Sequence, residues 1–173
     1  MGKSIPNSPD LRGVSADTFR RVAGTFATGV AVVTTMLKDD PHGCTANAVT
    51  SLSLDPPLMI VCLAHSSSTR DVVIKNSFLA INILDQTVIS RNLCKKFASQ
   101  SLDKFLDVEF RFGELNVPIL ATAMSWLECE VIESHESTDH TIFIAQVLHA
   151  DDSERMPLLY FRGRFGSLSI DAT

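Results

Sequence analysis

The spacing of apolar positions changes several times along the chain. Phe19, Val22, Ala23 and Phe26 recur at i, i+3, i+4 and i+7, one face of a helix, with Ser15 or Asp17 placed to cap it. The pattern breaks at Gly29, and Val30 to Met36 is dense enough in β-branched residues to predict a buried strand. Lys38 to Gly43 reads as a turn. A second strand is predicted from Cys44 to about Leu54, ended by Pro56-Pro57, and a third over Leu58 to Ala64. Ser66 to Thr69 precede an apolar run, with Asp71 three residues after Ser68, the signature of a capped helix start. Phe78 to Leu84 predicts a strand. Ile89, Leu93 and Phe97 put a helix over Val88 to Ser99. From Ala123 to Glu133 the chain alternates, Leu127, Cys129 and Val131 against Trp126, Glu128 and Glu130. His140 to Ala150 and Leu158 to Ile170 are further strand regions, the last interrupted at Gly163.

Six or seven strands with two or three short flanking helices, and no regular strand–helix alternation, predict a mainly β fold, an antiparallel barrel and not a doubly wound sheet. With 173 residues and no repeat or linker, one domain is expected over residues 15–173, preceded by a flexible, polar arm over residues 1–14. Hydrophobic residues at 45% exclude a disordered chain. The balance of 15 Lys and Arg against 20 Asp and Glu gives a net charge of −5 without basic runs, which excludes a nucleic-acid binder. No apolar run approaches the roughly 18 residues of a membrane span, and residues 1–14 lack the apolar core of a signal peptide, so a cytoplasmic protein is expected. Cys44, Cys62, Cys94 and Cys129 include no C-x-x-C pair and are expected to be free thiols, mostly buried. None of the five histidines has a zinc spacing, and no metal site is expected. Neither a P-loop, a G-x-G-x-x-G turn nor a G-x-S-x-G elbow is present.

Three segments have the chemistry for a site. If the second strand is regular, Thr45, Asn47, Ser51 and Ser53 share one face, and Cys44, pointing the other way, is expected to pack. Such a small, polar face leaves room for a flat ligand, or it is simply wetted; both readings stand at this point. The helix start at Ser66 to Thr69 suits a phosphate, or serves only as a cap. Lys95, Lys96 and Lys104 either add positive charge there or form a solvated face. His140, opening a strand after Asp139, has no role that pattern alone assigns.

Four runs together carry a resemblance. They are Phe26-Ala27-Thr28-Gly29-Val30 with Val32 to Thr35, then Thr45 to Leu58, Asp139 to Ile144, and Pro157 to Gly166. In this order, across residues 19–168, the chain resembles the flavin reductase-like, FMN-binding split-barrel family, which includes reductase components of two-component flavin-dependent monooxygenases. The resemblance implies an antiparallel split β-barrel, a homodimer, and hydride transfer from NADH or NADPH to FMN or FAD. It also implies a separate monooxygenase that receives the reduced flavin. By the same resemblance Thr45, Asn47, Ala48, Val49 and Ser51 line the flavin ring and ribityl chain, Cys62, Leu63 and Ala64 border it, and Ser68 and Thr69 meet its phosphate. Phe97, Ser99 and Lys104 close over the phosphate or adenylate side. Tyr160, Arg162 and Phe165 help hold the pyridine nucleotide. His140 positions, or stabilises charge at, the meeting of nicotinamide and flavin. The chain departs from the family where Cys44 replaces a common Met, Thr138 a common Gly before Asp-His, and Phe161 a frequent second Tyr. The last two lie in the nicotinamide region and leave NADH against NADPH open. The same barrel also serves reductases that retain flavin for a corrinoid or ferric acceptor, and non-catalytic flavin- or haem-binding proteins.

Overall fold

The computed structural model describes residues 13–101 and 103–169, so most of the arm expected over residues 1–14 lies outside the described residues. The elements in chain order are α1 (Ala16–Ala23), β1 (Thr28–Gly29), β2 (Ala31–Leu37), β3 (Asp40–Ala46), β4 (Val49–Leu54), β5 (Pro57–Ala64), α2 (Ser68–Asn76) and β6 (Phe78–Leu84). They continue with α3 (Val88–Ala98), β7 (Phe110–Phe112), β8 (Pro118–Leu120), β9 (Ala123–Glu136), β10 (His140–Asp151), β11 (Leu158–Phe161) and β12 (Arg164–Ser167). Ser15 caps α1, accepting from the Thr18 N–H. The expected helices are present, but α1 ends at Ala23, short of the Phe26 that the periodicity included, and buries none of its residues. Among the described residues the fold is mainly β, with three helices.

Two expectations fail around the second strand. The turn is only Lys38 and Asp39, with Lys38 in the left-handed region at φ 57°, and Pro41 lies within β3. Proline is tolerated there because β3 is an edge strand. The predicted single strand from Cys44 to Leu54 is two strands, broken at Asn47-Ala48. The seven-stranded sheet runs β3-β2-β6-β9-β10-β5-β4, every pairing antiparallel. Thus β3 and β4 are consecutive in sequence but lie at opposite edges.

That order forces curvature. Seven strands laid flat span about 29 Å. Ala46 and Val49 are three Cα steps apart, at most about 11 Å. The sheet therefore rolls until its edges approach, and the Cys62 N–H donates to the Ala48 carbonyl at 3.0 Å, one step beyond β4 in the β4–β5 register, which holds the link against β5 beside the seam. No ladder joins β3 to β4 or β5, so the barrel stays split along this seam. Alternation sends Val33, Val61, Leu79, Ile81, Cys129 and Phe143 to one core. Val32, Leu84, Leu93, Phe97, Leu120 and Leu158 form a second core under α3. β2 feeds both, which explains its unbroken run of buried residues, Thr34 and Thr35 included. Burial, with the Glu128 charge beside it, pushes the Cys129 thiol up to about 12. All four cysteines are free, and three are buried.

Polar latches hold the segments outside the sheet. Glu128, fully buried, accepts from the N–H groups of Glu114 at 3.0 Å and Leu115 at 2.9 Å, binding the β7–β8 hairpin, which sequence patterning missed. Gly113 lies so close that a Cβ there would sit 2.1 Å from the Glu128 carboxylate. Asp85, 3% exposed, accepts from the hydroxyls of Thr87 at 2.6 Å and Ser90 at 2.5 Å and from Arg155 at 2.8 Å. It thereby ties the start of α3 to the segment leading into β11. Burial works against the Asp85 charge, but the Ser90 and Thr87 hydrogen bonds, with Arg155, outweigh it and hold the carboxyl below its usual range. Asp85→Asn is expected to cost about 2–4 kcal/mol in urea unfolding at neutral pH, since it leaves Arg155 and two hydroxyls poorly paired. The Asp85 contribution is complete above about pH 4 and is lost as pH falls through the depressed folded value. The gap between wild type and variant should narrow in acid.

Candidate functional site

The seam opens into a cavity of about 390 Å³. One wall is the end of β3 and its link, Cys44 to Ala48. The second is Cys62 to Ala64 with Ser66 to Ser68, and the third runs from Phe97 to Ser101 with Lys104; His140, opening β10, completes the lining. Small residues at the seam leave the space that larger side chains would fill. The walls are fixed from behind. Thr45 Oγ1 donates to the Cys94 carbonyl of α3 at 2.7 Å. The Phe97 ring lies under Gly43, where a Cβ would come within 2.7 Å of it.

The cavity is electropositive beside Cys44. Ser67, not Ser68, is the N-cap of α2, and no side chain caps that end. Asp71, expected to complete a capping box, pairs instead with Arg70 at 2.8 Å. The Arg70 N–H turns back to the Ser67 carbonyl at 3.1 Å, and the N–H groups of Ser68 and Thr69 are left for an anion, where the helix dipole favours one. Lys104 Nζ donates to the carbonyls of Phe97 at 3.1 Å and Gly43 at 3.3 Å, and its charge reaches Cys44. Burial pushes the Cys44 thiol up, although Ser67 and Thr69 hydroxyls and Lys104 oppose it. A protonated thiol is no nucleophile, in keeping with the packing role expected for Cys44, although it also lines the cavity.

His140 Nδ1 lies 2.8 Å from Asp139 Oδ1. The hydrogen bond and charge of His140 hold the Asp139 carboxyl below its usual range. In the neutral ring this contact keeps the proton on Nδ1 and leaves Nε2 as an acceptor.

Of the residues singled out in the sequence, the structure brings Thr45, Asn47, Ala48, Cys62, Leu63, Ala64, Ser68, Phe97, Ser99, Lys104 and His140 together around this cavity. Val49 and Ser51 stand further along β4, opposite Val61 and Met59. Thr69 is buried behind the lining. Tyr160 and Arg162 line a separate groove of about 1090 Å³ between α1 and the β11–β12 hairpin. Asn47 borders both spaces. Phe165 backs Tyr160 edge-on, 5.9 Å between ring centres, and packs against the second core. Ala46, Ala98, Gln100 and Ser101 line the cavity without having been singled out. For the last two, the polar run Ser99-Gln100-Ser101 ahead of Lys104 was the available signal.

Residues 23–169 match the family described as flavin reductase like domain. The chain belongs to this family. It is 40% identical over 148 residues to the reductase component of a 4-nitrophenol 4-monooxygenase/4-nitrocatechol 2-monooxygenase from Rhodococcus opacus, covering 86% of this chain and 78% of that one. It is 33% identical over 159 residues to the FMN reductase (NADH) SmoA of Agrobacterium fabrum, covering 91% and 88%. Its fold superimposes with a TM-score of 0.84 on the NADH:FAD oxidoreductase SgcE6 of Streptomyces globisporus, solved with NAD and FAD fragments, at 34% identity and coverage of 91% and 94%. Flavin reductases are oxidoreductases, and the split-barrel fold expected from the sequence is the fold of these relatives.

The contact beneath Gly43 gives this flavin reductase family member a rigid wall. Gly43→Ala is expected to displace the Phe97 ring and cost about 1–3 kcal/mol, read as a lower urea midpoint at unchanged m-value.

Proposed function

We propose that this chain reduces FMN or FAD with NADH or NADPH, with the flavin held at the barrel seam, and passes the reduced flavin to a separate monooxygenase. The observation that carries this reading is the uncapped start of α2 beside Lys104, in a cavity lined mostly by small residues, polar and apolar. The α2 N–H groups and Lys104 bind the flavin phosphate. Ala46, Ala48 and Ala64 admit the flat ring. Asn47, bordering cavity and groove, lies where the two cofactors meet, and Tyr160 and Arg162 hold the pyridine nucleotide in the groove. The flavin, when bound, supplies the hydride acceptor and the nicotinamide the hydride. His140 orients the rings and stabilises developing negative charge without exchanging an obligatory proton.

The relatives named as reductase components of monooxygenases support a second protein as acceptor of the reduced flavin. The chain acts as a homodimer. In support, α1 buries none of its residues and leaves Phe19 and Val22 exposed, followed by an exposed Phe26. Four free cysteines suit the cytoplasm, and no helix among the described residues is long and apolar enough to cross a membrane.

Anaerobic stopped-flow mixing with NADH or NADPH and excess FMN or FAD tests the activity. Bleaching of the flavin absorbance is expected to continue over many equivalents. Bleaching that halts at one equivalent would mean a retained flavin and another acceptor, and absence of bleaching with bound flavin would overturn the reading. Lys104→Met is expected to raise the FMN Kd about tenfold at low salt, with a shallower salt dependence, measured by fluorescence quenching. Light scattering over a dilution series should give twice the chain mass.

A further inference from the structure

Behind His140 lies a polar cluster to which neither the fold nor the flavin site assigns a role. Thr141, fully buried, receives a hydrogen bond on its hydroxyl from Arg70 Nε at 2.8 Å. Arg70, only 18% exposed, comes from α2 and also pairs with Glu136 at the end of β9. Glu136 accepts from the Thr141 hydroxyl at 3.2 Å, and its other carboxylate oxygen lies 2.9 Å from His65 Nε2, just past β5. The His65 N–H donates to the Asp139 carbonyl at 2.9 Å. Both neighbours of His140 in sequence are thus held, Asp139 through His65 and Thr141 through Arg70, by elements that converge on Glu136.

The consequence follows from strand geometry. Thr141 and His140 point to opposite faces of β10, so anchoring one side chain sets the direction of the next. His140 itself has one side-chain hydrogen bond, to the exposed Asp139, and that bond cannot fix a half-exposed ring. We propose that Arg70 and Glu136 form a bracket that positions His140 at the cavity, and through it controls hydride transfer without touching the flavin. This rests on the reading of His140 as a residue of the flavin site.

The test is single-turnover flavin reduction by NADH at saturating FMN, on the full chain. Arg70→Met and the isosteric Thr141→Val are compared, alone and combined with His140→Ala. Each single bracket variant is expected to slow hydride transfer about tenfold and to leave the FMN Kd within about twofold, as loss of one charge-assisted hydrogen bond predicts. In the His140→Ala background neither should slow it further, because a positioning residue has nothing left to position. Arg70→Lys, which keeps the charge, should restore part of the rate.

Losses that add to that of His140→Ala, or that fall on the FMN Kd, would overturn the bracket and mark it as ordinary scaffold. Transfer at the wild-type rate in Thr141→Val would also overturn it, and that variant decides the matter if Arg70→Met does not fold. A wild-type rate in His140→Ala itself would instead refute the role of His140, and the bracket with it.

Discussion

The structure depends on the length of one connection. Asn47 and Ala48 alone join the two outermost strands of a seven-stranded sheet. A flat or gently twisted sheet cannot satisfy that connection, so the sheet rolls into a barrel, and the place where it fails to close is fixed by the same two residues. The hydrogen bond from Cys62 to Ala48 extends the β4–β5 register onto the link itself, while no ladder joins β3 to β4. Cavity and fold therefore have one cause. The small residues at the seam serve the close approach of two strand ends and the space beside them at once.

Around the seam, charge is placed by elements that would not otherwise meet. The start of α2 lies there because β5 ends at Ala64, and Lys104 because Phe97, beneath Gly43, anchors the end of α3. Phe97 also begins an edge-to-face series with Phe105 and Phe110, ring centres 5.0 and 5.4 Å apart, which carries the loop after α3 back onto the second core. The loop is thus pinned at both ends of its cavity-lining stretch. Such a wall has fixed anchors and a polar middle, which suits a ligand that has to enter and leave.

Much of this was legible in the residues. The period of 3.6 in Ile89 to Phe97, and the β-branched runs of β2, β5 and β6, specify elements whose faces the local sequence already separates, whereas the same spacing over Phe19 to Phe26 overran α1, which ends at Ala23 with no buried face. The break at Asn47-Ala48 was not legible, because small residues continue across it with no Gly or Pro to mark it. What ends β3 is the tertiary closure of the barrel. The β7–β8 hairpin was equally silent, since its strands are three residues each and are held by Glu128, distant in sequence. Most of the residues that the resemblance gives to the flavin line one cavity, and Tyr160 and Arg162, which it gives to the pyridine nucleotide, line the second groove. That Thr69 lies behind the wall depends on how α2 packs, which local sequence does not carry.

Hydrogen–deuterium exchange with and without FMN, followed by peptide mass, tests most directly whether the seam is the flavin site. The account predicts slowed exchange in peptides covering Thr45 to Val49, Cys62 to Ser68 and Phe97 to Lys104, with the β7–β8 hairpin unchanged. Flavin binding that leaves those three segments unprotected, and slows exchange elsewhere, would contradict it.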